Sequence, residues 1–139
     1  MLKLILIVNA IWFGMGFYTF AVKGTIFAKS LVPQSDRSNK VFPMLIASGK
    51  FVGGFNLALC TLNVLMIVFT GAFDDSTERV ILFSVFALAH GTQFLGNVPI
   101  ALANRKGGGA WPVKGTMLFI FITDFIMMLA NLILALMSF

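Results

Sequence analysis

Four apolar stretches, at about residues 4–22, 45–70, 80–103 and 116–137, constrain what this chain can fold into. Each is long enough to cross the hydrocarbon layer of a bilayer, which takes roughly 20 helical residues. A soluble domain of this size carries about a quarter charged residues, whereas here 11% are charged and 59% are hydrophobic. No water-facing surface hides that excess. The expectation is an all-α membrane protein: a four-transmembrane-helix antiparallel bundle, residues 1–139 forming one domain surrounded by the lipid bilayer. The first stretch follows Lys3 in the manner of a signal peptide. It leaves through Phe20-Ala-Val-Lys23 without a small-x-small cleavage pattern, so it reads as the first span. Pro99, near the end of the third stretch, is expected to kink or end its helix.

The connections differ in charge. Residues 23–44 carry Lys23, Lys29, Arg37 and Lys40 around a turn-rich Pro33-Gln-Ser-Asp-Arg-Ser-Asn39. The start of this loop, Thr25-Ile-Phe-Ala-Lys29, reads either as a continuation of the first helix or as an interfacial segment. Residues 71–79 are short and acidic, with Asp75 or Ser76 placed to cap the third helix. Residues 104–115 are basic and glycine-rich. With Lys50 at the start of the second span, one side of the membrane thus receives eight of the ten Lys and Arg residues, and the other only Lys3 and Arg79 beside Asp74, Asp75 and Glu78. The positive-inside rule then puts loops 23–44 and 104–115 in the cytoplasm and both termini on the non-cytoplasmic side. A bacterial inner membrane is the first expectation and an organellar membrane the alternative. On this reading the net charge of +5 sets topology, and nucleic acid is not expected as a partner.

Polar residues inside apolar spans carry the functional signal, because they cannot face lipid. His90, Gln93 and Asn97 recur at i, i+3 and i+7 and share one helix face. Asn56 and Asn63 share a face in the second span, as do Asp124 and Asn131 in the fourth. Counted from the acidic side, Asn9, Asn63 and Asn131 form a shallow layer, and Asn56, Gln93 and Asp124 a deeper one. Asp124 stands apart from the amides, since a carboxylate near mid-membrane costs a few kcal/mol even on the permissive insertion scale. His90, Gln93, Asn56 or a basic group of a partner chain are its candidate compensators. His90 and Asp124 are therefore the candidate catalytic or proton-exchanging pair. Asn56, His90, Gln93, Asn97, Asp124 and Asn131 are the candidate ligand-binding set. The competing reading of the amides is interhelical hydrogen-bond glue, worth less than about 2 kcal/mol each.

Two further readings bound the chemistry. Cys60 is the single cysteine, which excludes an intrachain disulfide and a multi-cysteine metal framework. No metal site and no cofactor are expected. In the loop Arg105-Lys-Gly-Gly-Gly-Ala-Trp-Pro-Val-Lys114, the cations Arg105, Lys106 and Lys114 are candidates for holding a lipid head group. The simpler reading there is a flexible turn, with Trp111 as an interface anchor.

The length, the four spans and the run Ala87-Leu-Ala-His90 early in the third span resemble small four-helix membrane proteins of the DoxX-like and Erg28-like kinds. The resemblance implies an accessory or scaffold role beside membrane enzymes. The leading expectation is accordingly a non-enzymatic subunit that assembles with itself or with other membrane subunits. Its alternatives are a small membrane enzyme or carrier with a His/Asp/amide site for a small polar or lipid-like ligand, and a proton-conducting homo-oligomer.

Overall fold

The structure, a computed structural model, describes residues 2–138. Five α-helices are present among them, with no strand: α1 (Leu2–Phe17), α2 (Gly24–Leu31), α3 (Val41–Val68), α4 (Ser76–Arg105) and α5 (Thr116–Met137). A π-helical turn, Tyr18–Val22, prolongs α1. Four helical segments are long and apolar enough to cross a membrane: Leu2–Val22, Val41–Val68, Ser76–Arg105 and Thr116–Met137. Contacts gather the chain into two compact units, Lys3–Val68 and residues 69–138.

The first unit is closed by small residues. α3 buries Gly49, Gly53, Asn56, Asn63 and Met66, a stripe at helical spacing. Along that stripe the Cys60 thiol donates to the Ala10 carbonyl at 3.2 Å. A Cβ on Gly16 would collide with the Asn56 carboxamide, and one on Gly53 would lie 2.8 Å from the Ala21 nitrogen. The pairs 10/60, 16/56 and 21/53 run in opposite directions, so α1 and α3 are antiparallel. Small residues that let backbones approach closely are the usual packing device of membrane helices, where van der Waals contact replaces a hydrophobic drive.

The π turn sits where that approach is tightest. Lys23 N–H reaches back five residues to the Tyr18 carbonyl at 2.7 Å, the widened bond that defines a π bulge. Phe20 and Ala21, inside the turn, lie over Gly49 and Gly53. α2 then folds against this end of α3. Phe27 packs edge-on against Phe20 with centroids 4.6 Å apart, and Ala28 is fully buried. The 23–44 connection is thus partly helical, where its turn-rich composition suggests mostly loop. Arg37 closes α2, donating through Nε to the Val32 carbonyl at 3.1 Å and through Nη2 to the Lys29 carbonyl at 3.2 Å. These are carbonyls near the helix end, which lack intrahelical donors.

The second unit is the hairpin α4–α5. Asp75, rather than Ser76, is the cap of α4: its Oδ1 accepts from Thr77 N–H at 2.7 Å and from Glu78 N–H at 3.3 Å. Those two backbone bonds hold the Asp75 carboxyl below its ordinary value of 3.8. α4 does not end at Pro99 but runs on to Arg105. Membrane helices tolerate proline because neighbouring groups satisfy the freed backbone. Phe94 lies between Phe121 and Phe125 at centroid distances of 4.7 and 4.8 Å, contacts worth about 0.5–1.5 kcal/mol each beyond burial.

Two outcomes follow from these contacts. Gly53→Val forces a side chain into the Ala21 backbone and is expected to cost about 1–3 kcal/mol, read as a lower unfolding midpoint in detergent. At the α4 cap the folded carboxyl is the stronger acid, so its contribution is complete above the ordinary 3.8 and is lost as pH falls through the lower folded value. Hydrogen exchange at the Thr77 and Glu78 amides should therefore accelerate in Asp75→Ala at neutral pH. The same acceleration should appear in the unaltered chain only under strong acid.

Candidate functional site: a buried His–Asp pair in the second hairpin

α4 turns Phe83, Phe86, Ala87, His90 and Gly91 inward, and α5 turns Met117, Asp124, Met127, Asn131, Leu134 and Ala135 inward. α5 comes close to α4 at Gly91, where a Cβ would lie 3.1 Å from the Met128 sulfur. One residue away, His90 Nδ1 lies 3.0 Å from Asp124 Oδ1, and both side chains are 0% exposed. A hydrogen bond joins them, its donor set by the histidine tautomer. Among its candidate compensators, Asp124 is paired with His90.

The amides are used differently. Asn56 donates to the Val52 carbonyl, Asn63 to Leu59, Asn97 to Gln93 and Asn131 to Met127, at 2.8–2.9 Å. Each bond reaches four residues back along its own helix, the back-bonding geometry of short polar side chains. One donor of each carboxamide is therefore used within the helix that carries it. Asn56 and Asn63 belong to the first unit, where Asn56 covers Gly16. The buried Asn63 Oδ1 has no hydrogen-bond partner among the described residues. Asn131 is fully buried on α5, seven residues beyond Asp124. Gln93, half-buried, contributes its backbone carbonyl to Asn97.

Asn97 belongs to the loop rather than to His90. Its Oδ1 accepts from Trp111 Nε1 at 3.2 Å, fastening residues 104–115 to α4. Asn104 organises the rest of that loop. Its Nδ2 donates to the Gly108 carbonyl at 2.9 Å and the Trp111 carbonyl at 3.1 Å, and its Oδ1 accepts from Val113 N–H at 2.7 Å. Gly109, at φ +115°, presses on the Asn104 carboxamide, where a Cβ would collide. Sequence reasoning passed over Asn104. The one signal available was an asparagine at the last helical turn before three glycines, a place that needs side-chain hydrogen bonds to close a tight connection. The head-group candidates Arg105, Lys106 and Lys114 are all exposed.

No group of three or more His, Cys, Asp or Glu side chains placed to hold a metal ion occurs among the described residues. Comparison of the chain with protein-family models, curated proteins and solved structures gives no match.

The pair makes a clear energetic prediction. Asp124→Leu removes the carboxyl group that the buried imidazole bonds, at an expected cost of about 1–3 kcal/mol. Replacing both partners, His90→Phe with Asp124→Leu, should recover most of that loss, because well-packed apolar groups substitute for buried pairs at little cost. A double-mutant cycle on unfolding in detergent should give a coupling energy near 1 kcal/mol or above.

Proposed function

We propose that the chain is a small multi-pass membrane subunit with an accessory or scaffold role, assembling with itself or with other membrane subunits. One observation carries this reading: the buried side chains of Asn56, Asn63, His90, Asp124 and Asn131 each make a hydrogen bond within their own helix or hairpin. His90 is bonded to Asp124, and the asparagines donate to their own helix backbones. Groups spent in this way define helix faces and register, the attested use of polar residues between membrane helices. The resemblance to DoxX-like and Erg28-like proteins points toward the same class. In our reading the four spans lie in a bacterial inner membrane. The basic loops 23–44 and 104–115 are cytoplasmic, and both termini lie on the opposite side.

The second reading rests on the same pair. Two titratable groups 3.0 Å apart and shielded from solvent are the geometry of a proton exchange, as a small membrane enzyme, carrier or proton-conducting oligomer requires.

The two readings separate cleanly. The accessory role predicts that the protein extracted in mild detergent migrates above the mass of one chain. It also predicts that Asp124→Asn and His90→Gln, made singly, leave that assembly intact. A strictly monomeric, partnerless protein would sink the proposal. Liposomes carrying the protein should show no proton leak; a leak abolished by Asp124→Asn would establish the second reading instead.

A further inference from the structure

At the loop end of the second unit a cleft of about 310 Å³ opens between α4, the 104–115 loop and α5, lined by Ala101, Asn104, Arg105, Val113, Leu118 and Phe121. Its volume is at the lower end of small-molecule sites, roughly 300–1,000 Å³. We propose that this cleft binds an anionic phospholipid, with the phosphate on Arg105 and the upper part of one acyl chain against Leu118 and Phe121.

Four observations support that occupant. The first is placement. Arg105 is the last residue of α4, and Phe121 lies five residues beyond the start of α5, about 7.5 Å along the helix. The cleft therefore runs from the end of two membrane spans into their apolar length. The second is chemistry, since a cation at one end and Leu118 and Phe121 at the other match an amphiphile held upright. The third is charge. Residues 104–115 hold Arg105, Lys106 and Lys114 and no acidic residue, and Arg105 is in no ion pair among the described residues. A guanidinium fork suits a phosphate in two-point contact. The fourth is that the wall is built. Asn104 spends its carboxamide on Gly108, Trp111 and Val113, and Trp111 is pinned to Asn97. The loop is thus closed by its own bonds, and Arg105 is the charged group left facing the cleft. Of the three cations singled out in the sequence, Arg105 alone lines it.

The test uses the full chain with Trp12→Phe, which leaves Trp111, bonded to the cleft residue Asn104, as the sole tryptophan. It is reconstituted in phosphatidylcholine vesicles holding equal fractions of brominated phosphatidylglycerol or brominated phosphatidylcholine, and bromine quenching of Trp111 is read. Quenching should show an association about fivefold stronger for phosphatidylglycerol, the effect of one cation at an anionic lipid surface. Arg105→Gln should abolish the preference, and Arg105→Lys should retain part of it. Lys106→Gln and Lys114→Gln should leave it in place. Unbrominated phosphatidylglycerol should relieve the quenching, and inorganic phosphate should not.

Equal quenching by the two lipids overturns the proposal, as does a preference that survives Arg105→Gln. A loss of similar size in Lys106→Gln or Lys114→Gln assigns the effect to a diffuse basic surface and overturns it too. Relief by inorganic phosphate leaves an anion site without a lipid, again against the proposal. The wild-type and competition arms decide the matter even if Arg105→Gln fails to fold.

Discussion

Hydrocarbon supplies no water to complete a hydrogen bond, so each polar group carried into a span must find its partner inside the protein. The most demanding groups here are the imidazole of His90 and the carboxyl group of Asp124, and the α4–α5 hairpin brings them to 3.0 Å from each other. Both are 0% exposed, and a slip of one residue in either helix would break the bond between them. The pair therefore fixes which residues of α4 and α5 stand opposite. Gly91 against Met128 and Phe94 between Phe121 and Phe125 follow from that register.

The two hairpins meet the same constraint by different means. In the first unit, contact comes from what is missing. Gly16, Gly49 and Gly53 remove side chains so that Asn56, Phe20 and Ala21 can approach. The thiol of Cys60 then bonds a carbonyl of the facing helix. In the second unit, contact comes from what is present: aromatic rings, a sulfur against a glycine, and a titratable pair. A glycine seam tolerates almost no added volume, whereas the His–Asp pair tolerates volume changes poorly only when they strand one partner.

The spans were legible because length and apolarity alone identify them, and the helix cap at Asp75 was legible because its chemistry is local. The meeting of His90 with Asp124 was among the pairings that depth counting allowed, since both fall near the middle of adjacent spans. Other features were hidden for identifiable reasons. α2 has only eight residues inside a stretch rich in turn formers. The π turn depends on a five-residue hydrogen bond that no residue pattern announces. Pro99 reads as a breaker in water, yet α4 continues through it. The asparagines read as donors toward neighbouring helices, but Asn56, Asn63, Asn97 and Asn131 each donate to the backbone of their own helix. Asn104 was overlooked because its three partners lie four to nine residues ahead in an irregular loop.

The His90–Asp124 bond spans 34 residues of sequence, and that separation has a consequence during synthesis. At roughly 5–20 residues per second, His90 leaves the ribosome about 2–7 seconds before its acceptor exists. For that interval the carboxyl group that His90 meets in the folded hairpin has not yet been made. The 3.0 Å contact between the two helices can form only after Asp124 has followed. The register of α4 against α5 is thus set late, by a residue made only after α4 is complete.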